Sequence, residues 1–276
     1  AYLLNPWALA EYAHTMAGAV VTGAFALAAV GAFWTLRGVH QGAARVSLAT
    51  GVVVGLVASV LVAMPTGHAQ GRLVAAHQPA ALAGMEGRFE STVRAPMAVI
   101  GQPDVAAKKL DNPIELPAVL SYIAYGDFSA HVRGLDSFPE DEWPTNIELL
   151  YYSFHIMVGL GTLFIALMSL STLQLARRKL ATSRPVLWML ALSFPFPFIA
   201  NTAGWTTAEL GRQPWLVYGL MRTTEGGSPT VHGGSTLFTT LGFAGLYLVL
   251  GILYLMLIVK EVQHGPSTLG ESAAEH

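Results

Sequence analysis

The chain has 276 residues, 53% of them hydrophobic and only 12% charged, with a formal net charge of −2 and a mean hydropathy of +0.49. Soluble domains carry about 25% charged residues, so this composition indicates a membrane protein. The net charge argues against a nucleic-acid partner. The sequence has no cysteine, which excludes disulfides, thiolate metal sites, iron–sulfur clusters and haem attached covalently through a CxxCH motif.

Five segments are apolar enough, and long enough, to be spanning helices, each of which needs roughly 20 residues. We place them at about 6–36 (helix A), 46–64 (helix B), 146–176 (helix C), 185–209 (helix D) and 235–262 (helix E). Pro195 and Pro197 lie inside helix D and are expected to kink it. The predicted fold is therefore an all-α membrane protein with five transmembrane helices and a long external segment between the second and third.

The domain organisation follows from these spans. Residues 1–64 hold helices A and B, residues 65–145 form the external segment, residues 146–265 hold helices C to E, and residues 266–276 form a tail. With five spans, the Lys and Arg residues of the A–B loop, the C–D loop and the end of helix E share one side, which predicts that this side is cytoplasmic. A structureless segment as long as 65–145 is unusual, so we expect a cap of short helices, one of them over residues 78–91.

Two side chains that bind metals reach similar depths on helices A and C. His14 lies about eight residues, or roughly 12 Å, below the outer end of helix A, and Met157 about eleven residues, or roughly 16 Å, into helix C. A His and a Met on facing helices can bind a haem iron from both sides. His155 competes for that position, because it projects about 200° away from Met157. It could pair with His14 in a bis-histidine site, bond a propionate, or face a polar cavity.

A second polar cluster closes helix D. Glu209 is expected near the outer surface, with Arg212 one turn after it and Trp205 one turn before. Ionisable groups at a membrane boundary are read by default as a functional site. The alternative is an interfacial ion pair beside an aromatic residue of the membrane belt.

Five motifs follow one another along nearly the whole chain: LNPWALAEYAHT with VVTGAF, PTGHAQGRLVAAHQPAALAGMEG, IGQPD, FHIMVGLG and GWTTAELGRQPW. This ordered series resembles subunit I of the cytochrome bd quinol oxidases. The resemblance implies that His14 and Met157 are the ligands of a low-spin haem b and that Glu209 is the ligand of a high-spin haem b. It also implies that Trp205 lies between the haems, and it adds Arg212 to the cofactor-binding and catalytic residues.

The same resemblance implies that the external segment, residues 65–145, binds quinol; we call this segment the Q-loop, as a name for these residues. Glu86 matches the acidic residue of that loop, and His77, Gln78 and Glu86 are expected to bind the quinol head group and accept its protons. A solvated loop helix explains the same residues without quinol. The chain departs from the family at Ala81, where most members carry Lys, and at His155, where some carry Arg.

Family members have four further helices before the one that bears His14, and these hold the histidine ligand of haem d. We therefore expect the chain to be the second half of a split subunit or a fragment of one. The expected partners are a companion membrane subunit with those four helices, a subunit II-like chain, quinol and the lipid bilayer. The expected location is the cytoplasmic membrane of a bacterium or archaeon, with the Q-loop on the periplasmic side.

The expected function is the quinol-oxidising, haem-bearing part of a cytochrome bd-type terminal oxidase. Electrons would pass from quinol through low-spin and high-spin haem b towards haem d, shared with a partner chain, and O2. One alternative is a bd-like haem b electron-transfer subunit of another respiratory complex that reduces no O2. Another is a transporter or structural subunit without haem.

Overall fold

A computed structural model describes residues 5–266. Its helices are α1 (Pro6–Arg37), α2 (Gln41–Leu61), α3 (His68–His77), α4 (Pro79–Met85), α5 (Val119–Tyr125), α6 (Ile147–Ala176), α7 (Arg184–Leu192), α8 (Phe196–Gly211) and α9 (Gly233–His264). Six short strands are β1 (Thr92–Val93), β2 (Met97–Asp104), β3 (Lys109–Leu116), β4 (His131–Val132), β5 (Trp215–Val217) and β6 (Met221–Arg222). They pair antiparallel as β1–β4, β2–β3 and β5–β6.

The five predicted spans are confirmed. Within residues 5–266, α1, the continuous stretch Gln41–His77, α6 and α9 are each long and apolar enough to cross a membrane. The fifth span is the pair α7 and α8, which meet at a bend of 40°. The bend falls at Pro195 and Pro197, as expected from residues that lack a backbone donor. The protein is a multi-pass helical membrane protein.

Capped ends set the levels of the two helices that carry His14 and Met157. The side chain of Asn5 accepts a hydrogen bond of 2.9 Å from the backbone of Trp7, so α1 begins at Pro6. The side chain of Asn146 accepts from the backbone of Leu149 at 3.3 Å, so α6 begins one residue later. The depths of His14 along α1 and of Met157 along α6 are therefore measured from these capped helix ends.

Helices α1, α2, α6 and the broken span α7–α8 pack as a bundle, and small residues let α1 and α2 touch. A Cβ atom at Gly51 would lie 2.4 Å from the backbone nitrogen of Ala28, and one at Gly31 would lie 2.5 Å from that of Leu48. Such close contact is typical of membrane helices. The main core fills the half of the bundle away from the Q-loop, and α9 lies beside it, where the Trp34 indole donates to a carbonyl near the end of α9 at 2.8 Å.

Helix B was predicted to end at residue 64, and the structure differs. The helix continues through a π-helical turn, Val62–Gly67, into α3 and ends at His77. Pro65 cannot donate to the carbonyl of Leu61, but the Thr66 hydroxyl donates to that carbonyl at 2.9 Å. The freed acceptor is therefore satisfied, and the helix bulges without stopping.

The Q-loop also differs from a cap of helices. The helix predicted over residues 78–91 is limited to α4, since Gly87 adopts a left-handed backbone with φ of 61°. The hairpin of β2 and β3 was not predicted, because Gly101, Pro103 and Pro113 interrupt both strands and glycine and proline weaken strand patterns. The Q-loop is thus a mixed cap with two sheets, and the fold as a whole is mostly helical.

Candidate functional site

The layer of the bundle nearest the Q-loop is packed less tightly than the core. In α1 the buried residues start at Gly18, four residues after His14. In α6 the buried residues stop at Ser153 and resume at Phe164, and Met157 lies between them. Both His14 and Met157 are partly buried. Cofactor sites of helix bundles are built from side chains on facing helices, and partly buried side chains such as these remain accessible to a bound group.

A contact deeper in the bundle aligns α1 with α6. The rings of Phe25 and Phe164 meet with centroids 4.6 Å apart. At 1.5 Å per residue, His14 lies roughly 16 Å above this contact and Met157 roughly 10 Å above it. The two candidate ligands therefore stand in the same part of the bundle, offset by about one helical turn.

Met157 is directed towards α8. A Cβ atom at Gly204 would lie 2.8 Å from the Met157 sulfur, so the thioether lies against the backbone of α8. On α1, a Cβ at Gly18 would lie 2.9 Å from Oδ1 of Asn201, whose side-chain amide donates to the Thr22 hydroxyl at 2.9 Å. These glycines let α1 and α6 approach α8 on either side at the level of the two candidate ligands.

His14 contacts the π-helical turn. Its Nδ1 lies 3.3 Å from the hydroxyl of Thr66, and a Cβ at Gly67 would lie 3.4 Å from the His14 ring. The turn thus holds one edge of the imidazole, and Nε2 on the opposite edge has no hydrogen-bond partner among residues 5–266. This ring arrangement suits a metal ligand, whose second nitrogen is usually held by a protein group.

His155 lies on the Q-loop side of α6. Its Nδ1 lies 2.8 Å from the carbonyl of Tyr151, its Nε2 lies 3.0 Å from the carbonyl of Ala98 in β2, and its ring stacks on Tyr151 at 3.9 Å. A neutral imidazole donates from one nitrogen only, but both ring nitrogens of His155 face backbone oxygens within hydrogen-bond distance, so neither faces an open position for iron. Of the alternatives left open by the sequence, this geometry favours Met157 over His155 as the partner of His14.

Glu209 and Arg212 form an ion pair at the C-terminal end of α8. Nε and Nη2 of Arg212 approach the same oxygen, Oε2 of Glu209, at 2.9 and 2.6 Å. The carboxylate is part-exposed, and no hydrogen bond to its Oε1 is found in the described part of the chain. Trp205, one turn below, is 66% exposed. The cluster faces away from the bundle core with one carboxylate oxygen available to a ligand.

The three residues predicted to bind quinol are not brought together. His77 ends α3 and packs edge-on against Trp7 at 5.7 Å, and Gln78 precedes α4. Glu86 follows α4 at its other end, about 10 Å away along the axis. A head group that contacts all three would therefore have to lie along α4, and their joint role in quinol binding stays a prediction.

Glu86 is enclosed rather than solvated. It is 3% exposed, and its Oε2 has no hydrogen-bond partner among the described residues. Burial raises the pKa of the Glu86 carboxyl to about 8, against the opposing effect of the Arg88 guanidinium. The ring of Tyr151 covers the next residue, because a Cβ at Gly87 would lie 3.2 Å from it. The reading of residues 78–91 as a solvated loop helix is therefore wrong for Glu86.

Ala81, at which the sequence departs from the family that it resembles, is 2% exposed and packs in α4 between α6 and α8. A Cβ at Gly211 would lie 3.5 Å from its methyl group. This packing leaves no room for a lysine side chain.

The sequence reasoning missed four residues that shape the site: Thr66, Gly67, Tyr151 and Gly204. The PTG sequence at 65–67 carried a usable signal, since proline followed by threonine within an apolar helix marks a local distortion. Contacts between distant parts of the chain place the other two.

Comparison with known proteins identifies relatives along almost the entire chain. A profile of the cytochrome bd terminal oxidase subunit I family matches residues 1–266. The cytochrome bd ubiquinol oxidase subunit 1 of Bacillus subtilis is 36% identical over 96% of this chain, and a putative cytochrome bd menaquinol oxidase subunit I of the same organism is 34% identical over 93%. The chain spans 58% of the length of each of these two relatives.

The fold is also similar to that of a solved bd oxidase. The bd oxidase from Geobacillus thermodenitrificans superimposes with a TM-score of 0.85 at 30% sequence identity, over 96% of this chain and 60% of that chain. The similarity therefore extends through the helical bundle and the Q-loop rather than resting on one motif. On these grounds, the chain belongs to the cytochrome bd terminal oxidase subunit I family.

Proposed function

We propose that the chain is the haem-bearing, quinol-oxidising part of a cytochrome bd-type oxidase. The carrying observation is that His14 and Met157 are both partly buried and lie at similar levels of α1 and α6, above the contact between Phe25 and Phe164. Membership of the family supports haem as the cofactor, and the names of two relatives support a ubiquinol or menaquinol substrate. We further propose that a companion membrane chain supplies the remaining helices and shares haem d, and that a subunit II-like chain completes the complex.

The residues present fit the proposed haem groups. The tautomer of His14 that donates from Nδ1 leaves the lone pair on Nε2, and this nitrogen and the Met157 thioether would hold a low-spin haem b. At the end of α8, Oε1 of Glu209 is available for a high-spin haem b while Arg212 holds Oε2. Haem b, when bound, supplies one-electron transfer.

The protein side chains then perform binding and proton transfer. Glu86 accepts a proton from the quinol hydroxyl when its carboxyl is ionised, and the pKa of about 8 lets it do so near neutral pH. Because Glu86 is 3% exposed, the proposal includes a local opening of the Q-loop where Tyr151 covers Gly87. Trp205 follows Gly204, against which Met157 packs, and lies one turn from Glu209, which supports the proposal that its indole takes part in electron transfer between the two haem sites.

A direct test is the haem content of the complex purified from its native membrane. A pyridine haemochrome assay is expected to find haem b, and the dithionite-reduced spectrum is expected to add a haem d band. Absence of haem b would contradict the proposal. Haem b without haem d, together with no O2 consumption, would instead favour an electron-transfer subunit of another complex.

Replacing Gly204 with alanine is expected to perturb the low-spin haem more than the stability of the fold. The new methyl would stand 2.8 Å from the Met157 sulfur, and the flexible thioether can move away at little cost. We expect a partial shift of the low-spin spectrum to high spin at nearly unchanged thermal stability. Gly159→Ala is the matched control, because a Cβ there meets no atom of residues 5–266 within 4 Å. Equal spectra for both variants would contradict the assigned position of Met157.

A further inference from the structure

Three successive residues of the π-helical turn Val62–Gly67 shape its contact with His14: Pro65, Thr66 and Gly67. Pro65 has no N–H, so the Leu61 carbonyl lacks the donor that an ordinary helix would supply. The Thr66 hydroxyl takes that place, donating to Leu61 at 2.9 Å, with the Val62 carbonyl 3.3 Å away. π-turns inside helices are frequent at functional sites, and this turn contacts His14 directly.

The direction of the bond between Thr66 and His14 follows from counting hydrogens. A hydroxyl has one hydrogen and two lone pairs, and a carbonyl oxygen can only accept. Since the hydrogen of Thr66 is committed to the backbone carbonyls, its oxygen can only accept from Nδ1 of His14 at 3.3 Å. His14 must then carry its proton on Nδ1, which leaves the lone pair on Nε2.

We propose that Thr66 is a positioning residue for His14, and that its hydroxyl oxygen, together with the Val62 carbonyl that also accepts from the ring, fixes the Nδ1–H tautomer and leaves Nε2 able to bind iron. The proposal rests on the proposed function, because it assumes that His14 binds haem. A protein group that accepts from the second nitrogen orients the imidazole and raises its basicity as a ligand. A more basic ligand stabilises the ferric over the ferrous state, so Thr66 also lowers the midpoint potential of the low-spin haem.

Gly67 completes the arrangement. A Cβ at this position would lie 2.6 Å from the Val62 carbonyl and 3.6 Å from Nδ1 of His14. Glycine therefore lets the turn close against the edge of the ring that carries the proton. Each residue of the sequence Pro-Thr-Gly thus has its own role. Pro65 leaves a carbonyl without its backbone donor, Thr66 links that carbonyl to His14 through its hydroxyl, and Gly67 lets the turn approach the ring.

The test is a redox titration of the low-spin haem in the purified holo-complex. Thr66→Val keeps the shape of the side chain and removes the acceptor, so the midpoint should become more positive. At the wild-type midpoint, the ratio of ferrous to ferric haem should rise on the order of tenfold. Thr66→Ser retains the hydroxyl and should return the midpoint to that of the wild type. The control is Thr35→Val, because the Thr35 hydroxyl donates only to the Gly31 carbonyl within its own helix.

A second measurement needs no variant. Pulsed electron paramagnetic resonance of the ferric wild-type complex reports the quadrupole coupling of the remote nitrogen of the axial imidazole. We expect the value of a hydrogen-bonded N–H with an exchangeable proton, and a remote nitrogen without one would overturn the inference. So would a Thr66→Val complex with full haem content and the wild-type midpoint. A wild-type complex without low-spin haem b would contradict the proposed function itself, and the two failures are thereby distinguished.

Discussion

Replacing Met157 with leucine is expected to convert the low-spin haem b of the assembled complex to high spin. Leucine is similar in volume but has no sulfur donor, so the proposed ligand is lost without a large cavity. The optical spectrum of the reduced complex reads the spin state directly. Quinol oxidation should also fall. Loss of a group that only orients a metal ligand costs about 10-fold in activity, so loss of a ligand should cost at least as much.

The matched change is His155→Leu, on the same helix two residues earlier. The His155 ring lies between the carbonyls of Tyr151 and Ala98 and can donate to one of them, so its loss should loosen β2 against α6 and leave the haem low-spin. The reverse pattern, with a low-spin spectrum in Met157→Leu and a high-spin spectrum in His155→Leu, would assign the iron to a bis-histidine site.

Replacing Glu86 with glutamine is expected to lower the rate of quinol oxidation by about 10²–10⁴-fold, the usual contribution of a general base. Glutamine fills the same buried space but cannot accept the proton. Haem content and the low-spin spectrum should be unchanged, because Glu86 follows α4 in the Q-loop and does not contact His14 or Met157 in the structure. Steady-state quinol oxidation in the intact complex, with the haem spectrum of each sample, checks this.

The pH dependence of quinol oxidation by the wild-type complex tests the same role of Glu86. A base acts when ionised, and burial raises the pKa of Glu86 to about 8, so the rate should rise with pH across about one unit on either side of that value. Glu86→Gln should abolish this rise. The control is Glu90→Gln, because Glu90 is exposed four residues further along the Q-loop. Wild-type turnover in Glu86→Gln would refute the role proposed for this carboxyl.

Much of the fold could be predicted from the sequence because membrane spans follow composition. The long apolar runs ending at Arg37 and Ala176 became α1 and α6 almost to the residue, and Pro195 and Pro197 marked the broken span. The Q-loop could not be predicted in the same way, since proline and glycine interrupt β2 and β3. The strands form there through pairing between the two segments.

The candidate site could also be predicted only in part from the sequence. His14 and Met157 could be proposed from their depth along two helices, which depends only on residue count. The contact between His14 and Thr66 joins residues 52 positions apart, and the burial of Glu86 results from α4 packing on α6 and α8. Neither leaves a local pattern, because each depends on the tertiary packing of separate helices.

The central claim is that one haem iron is bound between the imidazole of His14 and the thioether of Met157. Near-infrared magnetic circular dichroism of the oxidised complex tests it most directly, because the charge-transfer band of low-spin ferric haem depends on the two axial ligands. The account predicts the band of histidine–methionine ligation in the wild type and its loss in Met157→Leu. A band of bis-histidine ligation in the wild type would contradict it.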